Sequence, residues 1–586
     1  MVVASLYLWP FIRRGWIPHD EGTIGLSAVR LLGGELPHLD FQDYTGGMTW
    51  FYAGLFDLLG VDLVWIRYAL FGAALASVWV WYRIALRFSG SWPAAGAALT
   101  ALAWSFPNYF AGLPSWWCVT FTSVAILLLI QYAERGALRA LLLSGLALGL
   151  SCIFKQSGVY LVGASVLALL YWEQTASASG GPVSQPAGLV LVRVLTATCA
   201  AGGLYYVIRG VWSIEILVLL IAPIACVCLL LVADAWSRRD QAPPASPARL
   251  AAALVLLLSG VAVPLLTLAA PYVARQRLLE LFHGAFGVPQ QLKVIGYYRW
   301  PSLWLSVLLV PVTILIAKAA AQERKHWVLI GLAWLLPVAV LLSYGSNVGY
   351  LLAWNSIRSS AALLVVASCW LLWRRRSHAS ESERVLFVLT AATAFFALFQ
   401  YPFAAPVYFC YVALFAVLLA FAYLSMGGAG KMRLPVLGSV ALFAVLSVNP
   451  GYVDQMGRSR RVVALNTELA LPNASIRVGA EDAVVYRRVT SLVASHAASD
   501  TIYAAPDCPE VYYLTGRRNP TPANFDAFWP LTTAQVVQLW ATRDIHLVVL
   551  NHKPQFSHVP SDELLLEARR TFPQSENVGH FEVRWR

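Results

Sequence analysis

The sequence predicts an α-helical protein that crosses a membrane many times and carries a small α/β domain at its C-terminal end. Three observations predict it. The 586-residue chain is 59% hydrophobic and 12% charged, against roughly 45–50% and about 25% in soluble domains. Its apolar residues come in long uncharged runs, and those at 216–233, 250–270 and 407–426 are each near the ~20 residues a helix needs to cross a bilayer. After residue 450 the runs shorten and the charge balances, at 14 basic and 14 acidic residues. The net charge of +12 therefore belongs wholly to the apolar part, which removes a nucleic-acid reading. There the basic residues (Arg83, Arg87, Arg135, Arg139, Arg193, Arg238, Arg239, Lys318, Arg324, Lys325, Arg374, Arg375, Arg376, Lys431 and Arg433) fall on alternate span boundaries. That pattern marks those loops as cytoplasmic.

Taken in order, residues 1–10 are apolar but few, and Arg13-Arg14 follow rather than precede them. A signal peptide has the opposite polarity. The stretch is expected to be a first span that is short, or clipped by the choice of start codon. A polar loop, 15–47, comes next, in which Ile24, Ala28, Leu31 and Leu32 fall at helical spacing and predict a helix along the membrane surface. Further spans are expected at 48–60, 63–88, 93–106, 116–132, 138–153 and 159–171, with an uncharged outer turn at 108–115. The Ser/Gly/Pro/Gln-rich segment 175–186 reads as a cytoplasmic linker.

Spans then follow at 188–208, 213–234 and 250–272, a second polar outer loop at 274–301, and spans at 303–320, 327–344, 359–373, 385–400, 407–425 and 434–449. The total is about 13–15 spans; an odd number puts the N-terminus inside and the tail, 451–586, outside. In the tail, helical patterns (Val484, Val485, Val489, Leu492 and Val493; Val536, Val537, Leu539 and Trp540) alternate with strand-like runs at 501–504, 546–550 and 581–585. No Gly-rich phosphate loop follows a strand, so a nucleotide site is not expected there. Seven of the eight cysteines lie in apolar runs and only Cys508 in the tail, which leaves the tail no internal disulfide. No metal-ligand spacing appears, and no metal or other cofactor is expected. Asn473-Ala474-Ser475 matches a glycosylation sequon, a pattern turns also match by chance.

The residues able to carry chemistry cluster in the polar loops. Asp20-Glu21, between Pro18 and Gly22, is an acid pair beside apolar surface and could serve as a general base. It could equally stabilise a helix N-terminus. Asp40 and Asp43 stand in a turn-rich stretch of the same loop, where solvated acids are the commoner case. Lys155 ends an apolar run on the outer face, where an ammonium can snorkel to the interface or hold an anionic phosphate. Arg275, Arg277, His283, Lys293 and Arg299 crowd the second outer loop against the usual charge bias. They suit an anionic ligand or lipid headgroups.

Segment 18–47 (PHDEGTIGLSAVRLLGGELPHLDFQDYTGG), then 63–67, then 145–158 (GLALGLSCIFKQSG) resembles the N-terminal half of the integral-membrane glycosyltransferases of the GT-C class. The nearest branch is the bacterial one containing the aminoarabinose and galacturonic-acid transferases and the protein O-mannosyltransferases (families 39 and 83). Segment 400–411 (QYPFAAPVYFCY), Ala505-Pro506-Asp507 and 513–517 resemble uncharacterised bacterial members. The likeness covers most of the membrane part, and the catalytic motif it supplies is the acid pair. It implies that Asp20, with Glu21 beside it, is the acidic base of the first outer loop, and that Lys155, with Arg275 and Arg277, holds the lipid phosphate. Asp40, Asp43, His283 and Arg299 would meet acceptor or sugar. The chain departs from the family at its short first span.

The activity so implied is transfer of a sugar from a polyprenyl-phosphate carrier to an envelope glycolipid, polysaccharide or protein. It would occur on the outer face of a bacterial cytoplasmic membrane, with inversion. A carrier-linked donor needs no nucleotide site. The rival readings are a flippase or transporter of lipid-linked sugars and a non-catalytic scaffold that binds polymer. Transporters place ionisable residues near mid-bilayer and often repeat internally. Here the polar residues gather in outer loops and no repeat is visible.

Overall fold

The computed structural model describes residues 1–175, 198, 202, 203, 205, 212–237, 247–291, 300–305, 307, 308, 347–375, 380–401, 404–426, 432–448, 451–453 and 459–586. The linker expected at 175–186 lies outside them beyond Thr175. So do the span at 327–344 and most of those at 188–208 and 303–320.

The N-terminal half is a run of helices: α1 (Val2–Ile12), α2 (Pro18–Leu32), α3 (Gly47–Leu59), α4 (Leu63–Ala85), α5 (Ser91–Ala103), α6 (Pro114–Arg135), α7 (Leu138–Phe154) and α8 (Val159–Thr175). Among the described residues six helices are long and apolar enough to cross a membrane: Leu63–Ala85, Pro114–Arg135, Ile214–Ser237, Ala248–Ala274, Trp354–Arg374 and Glu381–Gln400. Four shorter apolar helices join them, α1 among them. At 11 residues and ~1.5 Å per residue, α1 is about half a bilayer core long, in keeping with its short apolar run.

Without a hydrophobic drive between helices in lipid, close packing and polar contacts hold such a bundle together. Gly145 and Gly149 of α7 press onto the Leu257 and Val261 carbonyls, and Gly260 presses back on the Leu142 carbonyl. A side chain at any of the three would force the helices apart. Trp81 Nε1 donates to Ser123 Oγ at 2.8 Å, linking α4 to α6. The Thr100 and Ser439 hydroxyls meet at 2.7 Å and tie α5 to the helix Arg433–Val448.

The tail is the expected small α/β domain. After the short pairs β1 (Gly451–Val453) with β2 (Ser459–Arg461) and β3 (Thr467–Glu468) with β4 (Arg477–Val478), a four-stranded sheet forms. It has the order β5 (Tyr503–Ala505), β6 (Leu547–Asn551), β8 (Phe581–Trp585), β7 (Gln574–Val578). β5 and β6 are parallel and the other neighbours antiparallel. The parallel step is bridged by the helices Pro509–Thr515 and Thr533–Thr542, as a crossover between parallel strands requires. Strands expected at 501–504, 546–550 and 581–585 lie within two residues of those positions. The edge strand β7 escaped because Gln574, Ser575 and Asn577 are exposed and only Val578 is buried, so no apolar alternation marks it.

α2 is buried on most sides rather than lying open along a membrane surface, because the tail covers it. The helix Pro509–Thr515 runs so close that a Cβ at Gly22 would sit 2.5 Å from the Glu510 backbone, and one at Gly25 2.5 Å from the Tyr513 ring. Polar contacts surround this seam. Gly15 N–H donates to the Arg477 carbonyl at 2.8 Å and Gln42 N–H to the Pro522 carbonyl at 2.7 Å. Asn524 Nδ2 donates to Ser27 Oγ at 2.9 Å, and Arg30 to the Thr521 carbonyl at 3.0 Å.

Candidate active site

The first turn of α2 sets the two acids apart. Ile17 caps the helix in extended conformation and Pro18 opens it, where a missing N–H costs nothing and φ is already helical. Successive helical residues diverge by about 100°, so Asp20 and Glu21 face different surroundings. Glu21 is wholly buried. Its carboxylate takes both Nε (2.8 Å) and Nη2 (2.7 Å) of Arg67 from α4, and the Ile17 N–H at 2.9 Å. Arg67 spends its remaining nitrogen on the Phe11 and Arg14 carbonyls. Glu21 is thus fully engaged in joining α1, α2 and α4.

Asp20 is 8% exposed, and among the described residues its one hydrogen-bond donor is Tyr109, whose hydroxyl meets Oδ2 at 2.6 Å. Oδ1 is left facing His19 Nε2 at 3.8 Å. Four further side chains stand within electrostatic reach of this carboxylate: Lys155, Tyr44, Tyr408 and Tyr411. Tyr109, Tyr408 and Tyr411 follow one another at ring separations of 6.2 and 6.0 Å. The acid therefore lies in a cup of tyrosines with one ammonium beside it.

Lys155 is the residue at which α7 stops. Its Nζ donates to Ser115 Oγ at 2.8 Å, at the start of α6, and stands 5.5 Å from the Phe399 ring centre. No described carboxylate is within ion-pair distance of it. Thr45 donates to the Ile153 carbonyl and Gly47 presses on the same group, so the loop after α2 is clamped to the end of α7 next to this lysine. Asp43, in that loop, is buried; it accepts from the Tyr44 N–H at 2.8 Å and from the Thr49 hydroxyl. Burial pushes its carboxyl up to about 6 against these stabilising bonds, and its charge, like that of Asp20, acts on Tyr44.

His19, next to Asp20, is buried under the tail, edge-on to Phe525 and Phe556 at 6.2 and 5.6 Å. Burial lowers its pKa, with Asp20 and then Asp507 pulling the other way. The loops bearing these two phenylalanines are pinned by Asp507, which accepts the Phe556 and Ser557 N–H groups at 2.7 Å and the Asp526 N–H at 3.2 Å.

Asp20, Lys155 and Asp43 thus share one neighbourhood, while the other candidates are elsewhere. Asp40 is exposed and caps the Leu36 N–H at 2.7 Å. Arg275 is exposed, yet acts on Tyr272, whose hydroxyl donates to the Pro37 carbonyl at 2.9 Å. Arg277 is exposed and paired with Glu280. His283 is exposed on the helix Leu278–Gln291. Arg299 and Lys293 lie outside the described residues. Sequence reasoning missed Tyr44, Tyr109, Ser115, Tyr408 and Tyr411. The last two sit in segment 400–411, and buried Arg358 braces that stretch by donating to Gln400 (2.8 Å) and the Ala404 carbonyl (3.0 Å).

No protein-family model matches the sequence, and no curated protein matches it. Solved structures do resemble its fold. The Archaeoglobus fulgidus oligosaccharyltransferase in complex with Zn and sulfate is 11% identical at a TM-score of 0.44, over 94% of this chain and 67% of that one. The archaeal oligosaccharyltransferase AglB from the same organism, with an inhibitory peptide and a dolichol-phosphate, is 11% identical at 0.43, over 94% and 68%. ArnT from Cupriavidus metallidurans bound to undecaprenyl phosphate is 12% identical at 0.40, over 100% of this chain and 96% of that one. All three scores fall below 0.5, and likenesses at this level carry neither a family nor an activity over to this chain.

Proposed function

We propose that this chain is an integral-membrane glycosyltransferase of GT-C type that takes its sugar from a polyprenyl-phosphate donor. The observation that carries the reading is the contrast within the acid pair: Glu21 is consumed by Arg67, whereas Asp20 keeps one oxygen for a further donor and shares its cup with the Lys155 ammonium. A base and a phosphate-binding cation near one another are what displacement at an anomeric carbon needs.

In this reading the acceptor hydroxyl gives its proton to Asp20 as its oxygen attacks the anomeric carbon. The new glycosidic bond forms, the bond from that carbon to the phosphate oxygen breaks, and configuration inverts. Polyprenyl phosphate leaves with the bonding electrons, its charge met by Lys155. The Tyr109 hydroxyl holds Asp20 in place. Of the second-loop arginines, Arg275 is the better placed to meet the carrier, since it acts on Tyr272 beside the catalytic loop, while Glu280 holds Arg277. Asp43 and Asp40 would serve the sugar or acceptor, and the tail, lying over α2, would help select the acceptor. The acceptor class is an envelope glycolipid, polysaccharide or protein at the outer face of a bacterial cytoplasmic membrane.

Mass spectrometry of membrane lipids and envelope glycans from cells with and without the gene tests this reading. Loss of the gene should accumulate a polyprenyl-phosphate sugar and remove one sugar from an envelope glycan. Identical lipid and glycan profiles in the two strains would overturn it.

A further inference from the structure

One cavity lies away from the Asp20 cup, and none of its lining residues belongs to that cup. It measures about 760 Å³ and lies where the end of α1 meets the tail, between Trp9, Pro10, Ile12, Arg13, Arg14 and Tyr68 on one side and Glu468, Ala470, Leu471 and 474–477 on the other. That volume is within the usual range of ligand sites, roughly 300–1,000 Å³. Trp9, Pro10, Ile12 and Tyr68 give it an apolar wall on the helix side and Ala470, Leu471, Ala474 and Ile476 one on the tail side, while Arg13, Arg14, Arg477 and Ser475 supply polar groups.

The charges of this cavity are unbalanced. Its one carboxylate, Glu468, pairs with Arg477 at 3.0 Å. The guanidinium groups of Arg13 and Arg14 form no ion pair with any described residue. Their backbone is nevertheless held firmly. The Arg13 carbonyl accepts from the Arg477 N–H at 2.6 Å, and the Arg14 carbonyl accepts from Arg67 at 3.1 Å. Two free guanidinium groups on a fixed backbone form a site for an oxyanion, because each fork matches phosphate oxygens in pairs. Trp9, 62% exposed beside Phe71, and Tyr68 beside Trp65 supply the amphipathic rings that settle at headgroup level.

We propose that this cavity binds a phosphate-bearing anion through Arg13 and Arg14, at the boundary between the membrane helices and the tail. Two sources present that chemistry, an anionic lipid headgroup and free phosphate. The apolar residues on both sides of the cavity favour the lipid. Bound there, the anion would bridge α1 to the β3–β4 hairpin and so brace the tail against the bundle.

Native mass spectrometry of the full chain in detergent tests this, with dioleoyl phosphatidylglycerol, its phosphatidylcholine counterpart and inorganic phosphate as probes. Phosphatidylglycerol should bind more tightly than phosphatidylcholine. Arg13→Gln and Arg14→Gln should each weaken it about tenfold, the size expected for loss of one charge-assisted contact. The double Arg13→Lys, Arg14→Lys chain keeps the charges but loses the forks, so it should bind less tightly than the native chain and more tightly than the double Arg13→Gln, Arg14→Gln chain, with melting temperatures near the native value showing that each variant folds. Lys155→Ala should leave it unchanged, which separates this site from the donor site. Binding of inorganic phosphate with the same arginine dependence, and no preference between the two lipids, would assign the site to free phosphate. Wild-type phosphatidylglycerol binding by the double Gln variant, or its loss in Lys155→Ala, would overturn the proposal.

Discussion

Asp20 and Glu21 are adjacent in the chain and differ in what their removal should do. Glu21→Gln strands the Arg67 guanidinium, 1% exposed, without its counter-charge, and breaking a buried pair in this way costs about 3–5 kcal/mol. The expected result is a markedly lower melting temperature in detergent, with turnover per folded molecule much less affected. An unchanged melting temperature would contradict the structural role of the pair. Lys155→Ala removes the cation assigned to the donor phosphate. Donor affinity should fall by about ten- to a hundredfold, the worth of one hydrogen bond to a charged group; equal affinity would remove Lys155 from the donor site. The sequence made the acid pair and the lysine legible as candidates. It could not distinguish the two acids, because the partner that occupies Glu21 lies 46 residues on, in α4. The tyrosines were illegible for a related reason: in an aromatic-rich chain a tyrosine gains meaning only when folding brings it beside a charge.

The seam between α2 and the helix Pro509–Thr515 gives two tests on the element scale. Gly22→Val puts a branched side chain into the Glu510 backbone, so tail and α2 cannot keep their spacing. The variant should show faster limited proteolysis of the tail, and wild-type protection would contradict the close packing. Glu510 itself is buried at this seam and accepts from Tyr486 at 3.3 Å. Burial raises its pKa from 4.5 to about 8, so the folded chain holds this proton more tightly than the unfolded one. The stability this contributes is complete below the unfolded value and is lost as pH rises through about 8. Melting temperatures should fall between pH 6 and about 8 for the native chain and flatten in that window for Glu510→Gln. Parallel curves for the two proteins would contradict the assignment. Most helices were legible from apolar runs because a bilayer demands them. α2 itself was legible from four apolar positions, but its burial was not, since its cover comes from nearly 500 residues away.

Across the whole molecule, the account requires the acid cup and the tail to share one side of the membrane. The contacts between α2 and the tail already tie the cup to the tail. Which side that is follows from the arginine-rich boundaries: a reporter active only outside the cytoplasm should work after Arg586 and fail at Arg375. The reverse pattern would put the cup in the cytoplasm and remove the proposed donor. The central claim is that Asp20 takes the acceptor's proton, and Asp20→Asn tests it most directly. The amide keeps the size of the side chain and can still accept from Tyr109, but it cannot serve as a base. With purified protein in nanodiscs, turnover should fall by about 10²–10⁴-fold, while donor affinity and melting temperature stay near those of the native chain. Near-native turnover by Asp20→Asn would contradict the account.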